Sequence, residues 1–274
     1  MKKKNEWFEI DLLTSCPYVN RSINLSFLIE CKYHDINRYW FFLPLEAAGR
    51  WCFDDRVLNC GPYPTLQKPR EDTVLGLAPK SSGGIVLSNE GARQDNAVRT
   101  AIEQLTNAFV PACLNRMFGY NFDSRSKSLK ANPIHHVPNV TALVPMIVTN
   151  ACLYRLKPEI KDLDIIRKAT APSEIAEELE WTWLYHDAPM RLITQNLDAI
   201  RAHLKRDPED IYRFPNVKEN MEDFVDRPNW IAVVNIKALQ QVAEMLKDHF
   251  LKLGTFEVAK IMSSPLRRRR PKRF

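Results

Sequence analysis

Glycine is scarce, at 8 of 274 residues. That scarcity excludes a collagen-like repeat and Gly/Ser-linker character. No Gly-rich phosphate loop and no G-x-S-x-G nucleophile elbow occurs. The 6 cysteines, at positions 16, 31, 52, 60, 113 and 152, include no C-x2-C or C-x4-C pair, and no neighbouring histidine completes a zinc pattern. The longest uncharged run, Ala131 to Tyr154, contains Pro133, Pro138, Pro145 and two histidines, which makes it a poor membrane span. Glu6, Glu9 and Asp11 interrupt what would otherwise be the apolar part of a signal peptide after the three N-terminal lysines. Internal repeats are lacking. These absences predict a reduced, soluble, cytoplasmic protein with no membrane partner.

Proline, by contrast, is plentiful at 18, and 45% hydrophobic with 26% charged residues is ordinary for a globular chain. The net charge of +6 is localised. Arg267, Arg268, Arg269, Arg270, Lys272 and Arg273 supply six positive charges within the last eight residues, so the rest of the chain is close to neutral. A terminal basic run is usually a solvated tail that adds sequence-independent attraction to phosphates. Residues 261–274 are therefore expected to form a disordered basic tail.

Trp7 to Leu12 alternates apolar and polar residues and predicts a strand. A turn-rich stretch with Pro17, Asn20 and Asn24 follows, then strands over Leu25–Tyr33 and Arg38–Leu43. Residues 44–90 read as an insertion of loops and short strands, with Gly83-Gly84 a flexible point. Asp95–Phe109 predicts a helix with one apolar face, and Asp95 as its cap. Val140–Thr149 predicts a buried strand, and Leu163–Ile166 another short one. Ser173–Trp183, with Ser173 as cap and Glu174 in the first turn, predicts a helix, as does Met190–Leu204. Trp230–Ile236 predicts a strand and Leu239–Leu253 an amphipathic helix. The pattern is α/β with a mixed sheet.

The sharpest constellation is Glu9-Ile10-Asp11 followed, after 18 residues, by Glu30-Cys31-Lys32. An acid-x-Lys triplet alone is weak, since about one is expected by chance in a chain of this length. Glu159-Ile160-Lys161 is such a match, following Pro158 in a charged stretch with no expected strand before it. Glu30-Cys31-Lys32 instead ends the apolar strand Phe27-Leu28-Ile29, and period two places Glu30 and Lys32 on one face. With the preceding strand as an antiparallel neighbour, Asp11 is expected to join them at the rim of the sheet. Two carboxylates suit a hard divalent cation such as Mg2+ or Mn2+, with the Cys31 carbonyl as a further ligand. A bound metal polarises a phosphate and acidifies its water, and Lys32 is suited to orient that water or to offset transition-state charge.

This arrangement resembles the PD-(D/E)xK phosphodiesterase superfamily, which has the restriction-endonuclease-like fold. Asp11 matches the first acid, and Glu30 and Lys32 the second acid and the lysine. A helix and then a hydrophobic strand follow in that family. Here these are Asp95–Phe109, with Gln104 late in it, and Val144–Ala151, whose Ile147-Val148-Thr149-Asn150-Ala151 ending resembles the core strand of methyl-directed restriction endonucleases. Ile10 stands where the family often has proline, and only a few residues precede the first strand where the family usually has a helix.

The resemblance covers roughly residues 1–155 and implies a restriction-endonuclease-like core there, while residues 156–260 read as an α/β extension of the same domain, with a helical C-terminal part. It implies a Mg2+-dependent endodeoxyribonuclease in which Asp11 and Glu30 hold the metal, Lys32 assists the attacking water, and Gln104 and Arg267–Arg270 contact DNA. Double-strand cutting would call for a homodimer. The alternative is a catalytically inactive module of the same fold that binds nucleic acid or protein.

The remaining polar residues have blander readings. Asp11, Glu30 and Lys32 also fit a surface ion-pair network of little energetic weight. Glu9 reads as a solvated strand residue, Gln104 also as a helix-flank amide, and Asp54-Asp55 as exposed loop acids. His135-His136 lacks a partner at ligand spacing. Trp181 and Trp183 read as packing residues, and Cys31 as a core side chain on the face opposite Glu30.

Overall fold

The computed structural model describes residues 12–20, 23–33, 38–45, 74–88, 97–123, 140–160, 163–187, 189–206 and 228–250. Asp11, Glu9, Asp54-Asp55, Asp95, His135-His136 and the tail bearing Arg267, Arg268, Arg269 and Arg270 lie outside them.

Among the described residues the strands form one nine-stranded mixed sheet. In chain order they are β1 (Leu12–Asn20), β2 (Ile23–Lys32), β3 (Arg38–Pro44), β4 (Lys80–Ser88), β5 (Val140–Thr149), β6 (Cys152–Leu156), β7 (Ala176–Leu179), β8 (Trp181–Tyr185) and β9 (Trp230–Asn235). In space the order is β1-β2-β5-β9-β8-β4-β3-β6-β7. The helices are α1 (Ala97–Asp123), α2 (Leu163–Lys168), α3 (Pro172–Ile175), α4 (Met190–Arg206) and α5 (239–250). The α/β class with a mixed sheet read from the sequence is the architecture observed. Strands from before and after residue 155 interleave, since β9 and β8 lie between β5 and β4.

Three neighbouring strands position the candidate site. β1 and β2 pair antiparallel, as expected, with Leu12 opposite Ile29. β2 and β5 then pair in parallel over ten positions, from Ile23–Val140 to Lys32–Thr149. Parallel neighbours require a crossover, and α1 lies within it and packs on both strands. β9 pairs in parallel with β5 from Met146–Ala232 to Thr149–Asn235.

Both faces of this part of the sheet are covered, which explains its nearly unbroken apolar runs. On one face Leu28, Ile147 and Val233 pack with Val98, Ala101, Leu105 and Phe109 of α1 and Ile200 of α4. On the other, Phe27, Ile29, Met146, Val148 and Val234 pack with Val242, Leu246 and Phe250 of α5. Val74 and Leu75, in a 3-10 turn before β4, join this second cluster. Trp183 lies there too, fully buried, and donates from Nε1 to the Val74 carbonyl at 3.0 Å. Trp181 packs edge-on against it at 5.5 Å, so both tryptophans are packing residues.

Several local expectations are corrected. The stretch with Pro17 is strand β1 up to Asn20, and the chain reverses between Asn20 and Ile23, which are paired. Gly83-Gly84 lies inside β4: Phe42 faces Gly84 and Leu43 faces Ser82, which leaves Gly83 as the extra residue of a bulge at φ 62°. Glycine suits that left-handed position because it has no Cβ. α1 runs past Phe109 to Asp123 because its apolar stripe continues through Val110, Ala112 and Cys113, with Pro111 on the exposed side.

Leu163–Lys168 is a helix rather than a strand, with Ile166 buried against Phe41 and Leu156. The expected helix over Ser173–Trp183 shrinks to the single turn of α3, whose N-cap position is held by Ala171, with no side-chain cap bond, and not by Ser173. Glu174 reaches back to the hydroxyl and backbone N–H of Thr170, and these bonds lower its pKa. Beyond α3 the chain pairs as β7 with β6 and as β8 with β9, where burial on both faces removes the alternation by which a strand is recognised. A strand, β6, does precede Glu159, ending at Leu156, but Glu159 itself lies exposed in the following turn.

Candidate functional site

The site is built at the carboxyl ends of β2, β5 and β9. In β2, residues 25–30 are buried, and Glu30 is the last of them, only 2% exposed. A carboxylate at that depth costs several kcal/mol in desolvation unless it is paired. Lys32, two residues on and on the same face, supplies the pairing: its Nζ lies 2.5 Å from Glu30 Oε1. Lys32 is itself mostly covered, with 19% of its side chain accessible. Its Nζ also donates to Gln104 Oε1 at 2.8 Å.

Gln104 reaches the cluster because α1 lies on this face of β2 and β5. Leu105 and Ala101 anchor the helix in the core, and Gln104 stands at the edge of that buried stripe. The structure thus brings together three of the residues singled out in the sequence: Glu30, Lys32 and Gln104. Asp11 lies outside the described residues, yet Leu12, which follows it in the chain, is paired with Ile29, which precedes Glu30.

Cys31 departs from expectation. It is exposed, because the apolar cover over Phe27 and Ile29 ends before the strand does. It therefore does not belong to the core.

Sequence reasoning missed the row that completes this end of the sheet. Lys32, Thr149 and Asn235 are register partners across the three parallel strands. Thr149, buried, accepts from the Ala151 N–H at 3.1 Å. Asn235 donates from Nδ2 to the Ala151 carbonyl at 2.9 Å and accepts from the Lys237 N–H at 2.9 Å. The turn after β5 is therefore tied to β9. The available signal was a polar residue ending each of two apolar runs, but the strand order that aligns them is not visible in the sequence.

A groove of about 580 Å3 opens elsewhere along α1, against the start of α4. Arg99, Glu103, His186, Asp187 and Arg191 line it, with Ile102 and Leu192 among its apolar lining. Burial pushes the pKa of His186 down, against the opposing pull of Asp187 and Glu103. Arg99 is paired with Glu103 at 3.2 Å, and Asp187 accepts from the Tyr185 hydroxyl at 2.6 Å. Gln104 does not line this groove.

Among the described residues no group of three or more His, Cys, Asp or Glu is placed to hold a metal ion. None of the described helices is long and apolar enough to cross a membrane. Compared with known proteins, the chain matches no family model, no curated protein and no solved structure.

Proposed function

We propose that this protein is a Mg2+- or Mn2+-dependent endodeoxyribonuclease whose active site is centred on Glu30 and Lys32, with a restriction-endonuclease-like fold as its scaffold. The observation that carries the reading is the Glu30–Lys32–Gln104 cluster at the carboxyl ends of parallel strands. That end of an open α/β sheet is where ligands generally bind. The strand–helix–strand order of β2, α1 and β5 also supports it, being the order the resemblance calls for.

The donor chemistry suits a hard cation: the Glu30 carboxylate, the Cys31 carbonyl and the carboxylate of Asp11 are all oxygen ligands. Of the two carboxylates, the described residues supply Glu30, and Asp11 supplies the second in this reading. A bound Mg2+ or Mn2+ would polarise the phosphodiester and make its water more acidic. Lys32 would then turn from Glu30 toward the attacking water and the charge that develops on phosphorus-bound oxygen. Gln104 holds the ammonium in place through its amide oxygen. The Arg267–Arg270 tail adds salt-sensitive attraction to the DNA backbone, and cutting both strands would bring two copies of the chain together.

One observation favours a second reading, an inactive module of the same fold that binds nucleic acid or protein. Lys32 is already engaged by both Glu30 and Gln104, as a purely structural tie would have it. Plasmid cleavage separates the two. An active enzyme nicks or linearises DNA with Mg2+ or Mn2+ and stops with EDTA, and Lys32→Ala and Asp11→Ala each lower the rate by about 100-fold or more. A folded wild-type protein that cuts neither single- nor double-stranded DNA with either metal refutes the enzymatic reading.

A further inference from the structure

Two large hydrophobic side chains stand in solvent at the same end of the sheet as the site. Tyr33, directly after Lys32 at the end of β2, is 82% exposed. Ile236, directly after Asn235 at the end of β9, is 55% exposed. The register places Lys32, Thr149 and Asn235 side by side, so Tyr33 and Ile236 follow the two outer members of that row. Adjacent strands lie about 4.8 Å apart, so β2 and β9, with β5 between them, stand about 10 Å apart.

We propose that Tyr33 is a stacking platform for an unpaired nucleobase, with Ile236 as an apolar contact for the neighbouring nucleotide, and that the substrate is consequently single-stranded or locally unpaired nucleic acid. The inference rests on the reading of the Glu30–Lys32 cluster as a phosphodiesterase site. A protein interface accounts less well for the pattern. Stable interfaces need contiguous buried area of the order of 1,000 Å2, and here two isolated side chains flank the polar residues Thr149 and Asn235. A flat base needs only one ring face, and every base has one to offer. Lys32 and Tyr33 leave the end of β2 toward opposite faces, so a chain whose phosphate lies by the Lys32 ammonium would bring a base to Tyr33 by rounding the carboxyl end of the strand. In a duplex the base faces are covered by their neighbours, so the ring gains nothing until a base is unstacked.

The test is fluorescence anisotropy with a labelled 20-nucleotide single strand, as DNA and as RNA, and the matching DNA duplex. Ca2+ replaces Mg2+ so that binding is read without cleavage. Tyr33→Ala is expected to weaken single-strand binding about tenfold, the fold-change that corresponds to about 1.4 kcal/mol of lost stacking. Its effect on the duplex should be under twofold, and Tyr33→Phe should bind like the wild type. The high exposure of Tyr33 keeps these variants folded, which circular dichroism verifies. Equal single-strand affinity for Tyr33→Ala and wild type overturns the proposal, and so does an equal loss on the duplex. A loss in Tyr33→Phe as large as in Tyr33→Ala overturns stacking in favour of a hydroxyl contact. Failure of the nuclease reading shows separately, as absence of Mg2+-dependent cleavage by a wild-type protein whose Tyr33-dependent binding is intact.

Discussion

Replacing Lys32 with methionine isolates the energetics of the site. The substitution keeps the aliphatic stem and removes the ammonium, leaving Glu30 at 2% exposure without the partner that sits 2.5 Å away. Breaking a fully buried ion pair costs about 3–5 kcal/mol. Lys32 keeps 19% of its side chain accessible, so the lower end applies. Gln104 also loses the donor at 2.8 Å, worth about 1 kcal/mol. The expected loss for Lys32→Met is about 4 kcal/mol, or a fall in Tm of roughly 8–16 °C in a chain of this size.

Glu30→Gln should cost less, about 1 kcal/mol, because the amide still accepts from Lys32 and the ammonium still reaches water. Removing both charges leaves no carboxylate deprived of its ammonium, so the double variant should be more stable than the sum of the singles requires, by about 1–2 kcal/mol. Urea denaturation of the wild type, the two single variants and the double variant at pH 7 measures that coupling. Single effects that add within about 0.5 kcal/mol refute the reasoning, since residues in direct contact do not behave independently.

Two further outcomes follow from other parts of the fold. His186 has a folded-state pKa below its ordinary 6.5 because burial disfavours its charged form. Its neutral form is accommodated above pH 6.5, and stability falls as pH drops below that value until the folded pKa is passed, so His186→Gln should flatten the pH dependence of Tm below pH 6.5, and an unchanged slope counts against a half-buried neutral imidazole. Gly83→Ala should cost about 1 kcal/mol in chemical denaturation through its φ of 62° alone, because the added Cβ would meet only Leu43 Cδ1, at 3.9 Å; a variant as stable as wild type would show that the bulge is not held in that conformation.

Much of the site-bearing part of the fold was legible because its periods are strong. Val140–Thr149 and Trp230–Asn235 are apolar runs of strand length, and Met190–Arg206 carries a single apolar stripe. Glu30 and Lys32 were legible as one face of one strand, and Gln104 as the flank of one helix. What failed was decided by tertiary contacts. Trp181–Leu184 is buried on both faces between β4 and β9, so no alternation marks it as a strand. Gly83-Gly84 has a turn's composition and a strand's position, because a bulge absorbs the left-handed residue. The fate of Cys31 depended on where α5 stops covering the sheet, and the alignment of Thr149 with Asn235 on a strand that joins from far along the chain.

The Glu30–Lys32 pair is difficult to explain by stability. Between Leu28 and the apolar flank of α1, two well-packed hydrophobic residues would serve the sheet at least as well, because a buried ion pair is often neutral or unfavourable beside an apolar replacement. What the pair provides that leucine and methionine would not is a carboxylate and an ammonium held in fixed relation at the open end of parallel strands. Gln104 strengthens that point, since it fixes the ammonium on one side while part of Lys32 stays open to solvent. A tie meant only to hold β2 to α1 could be closed entirely, whereas this one leaves 19% of the Lys32 side chain accessible at the end of β2, the end at which Cys31 and Tyr33 are exposed. Under the proposed function that access is what lets Lys32 leave Glu30 for a phosphate, and the energy spent in breaking the internal contact is recovered in the contact that replaces it.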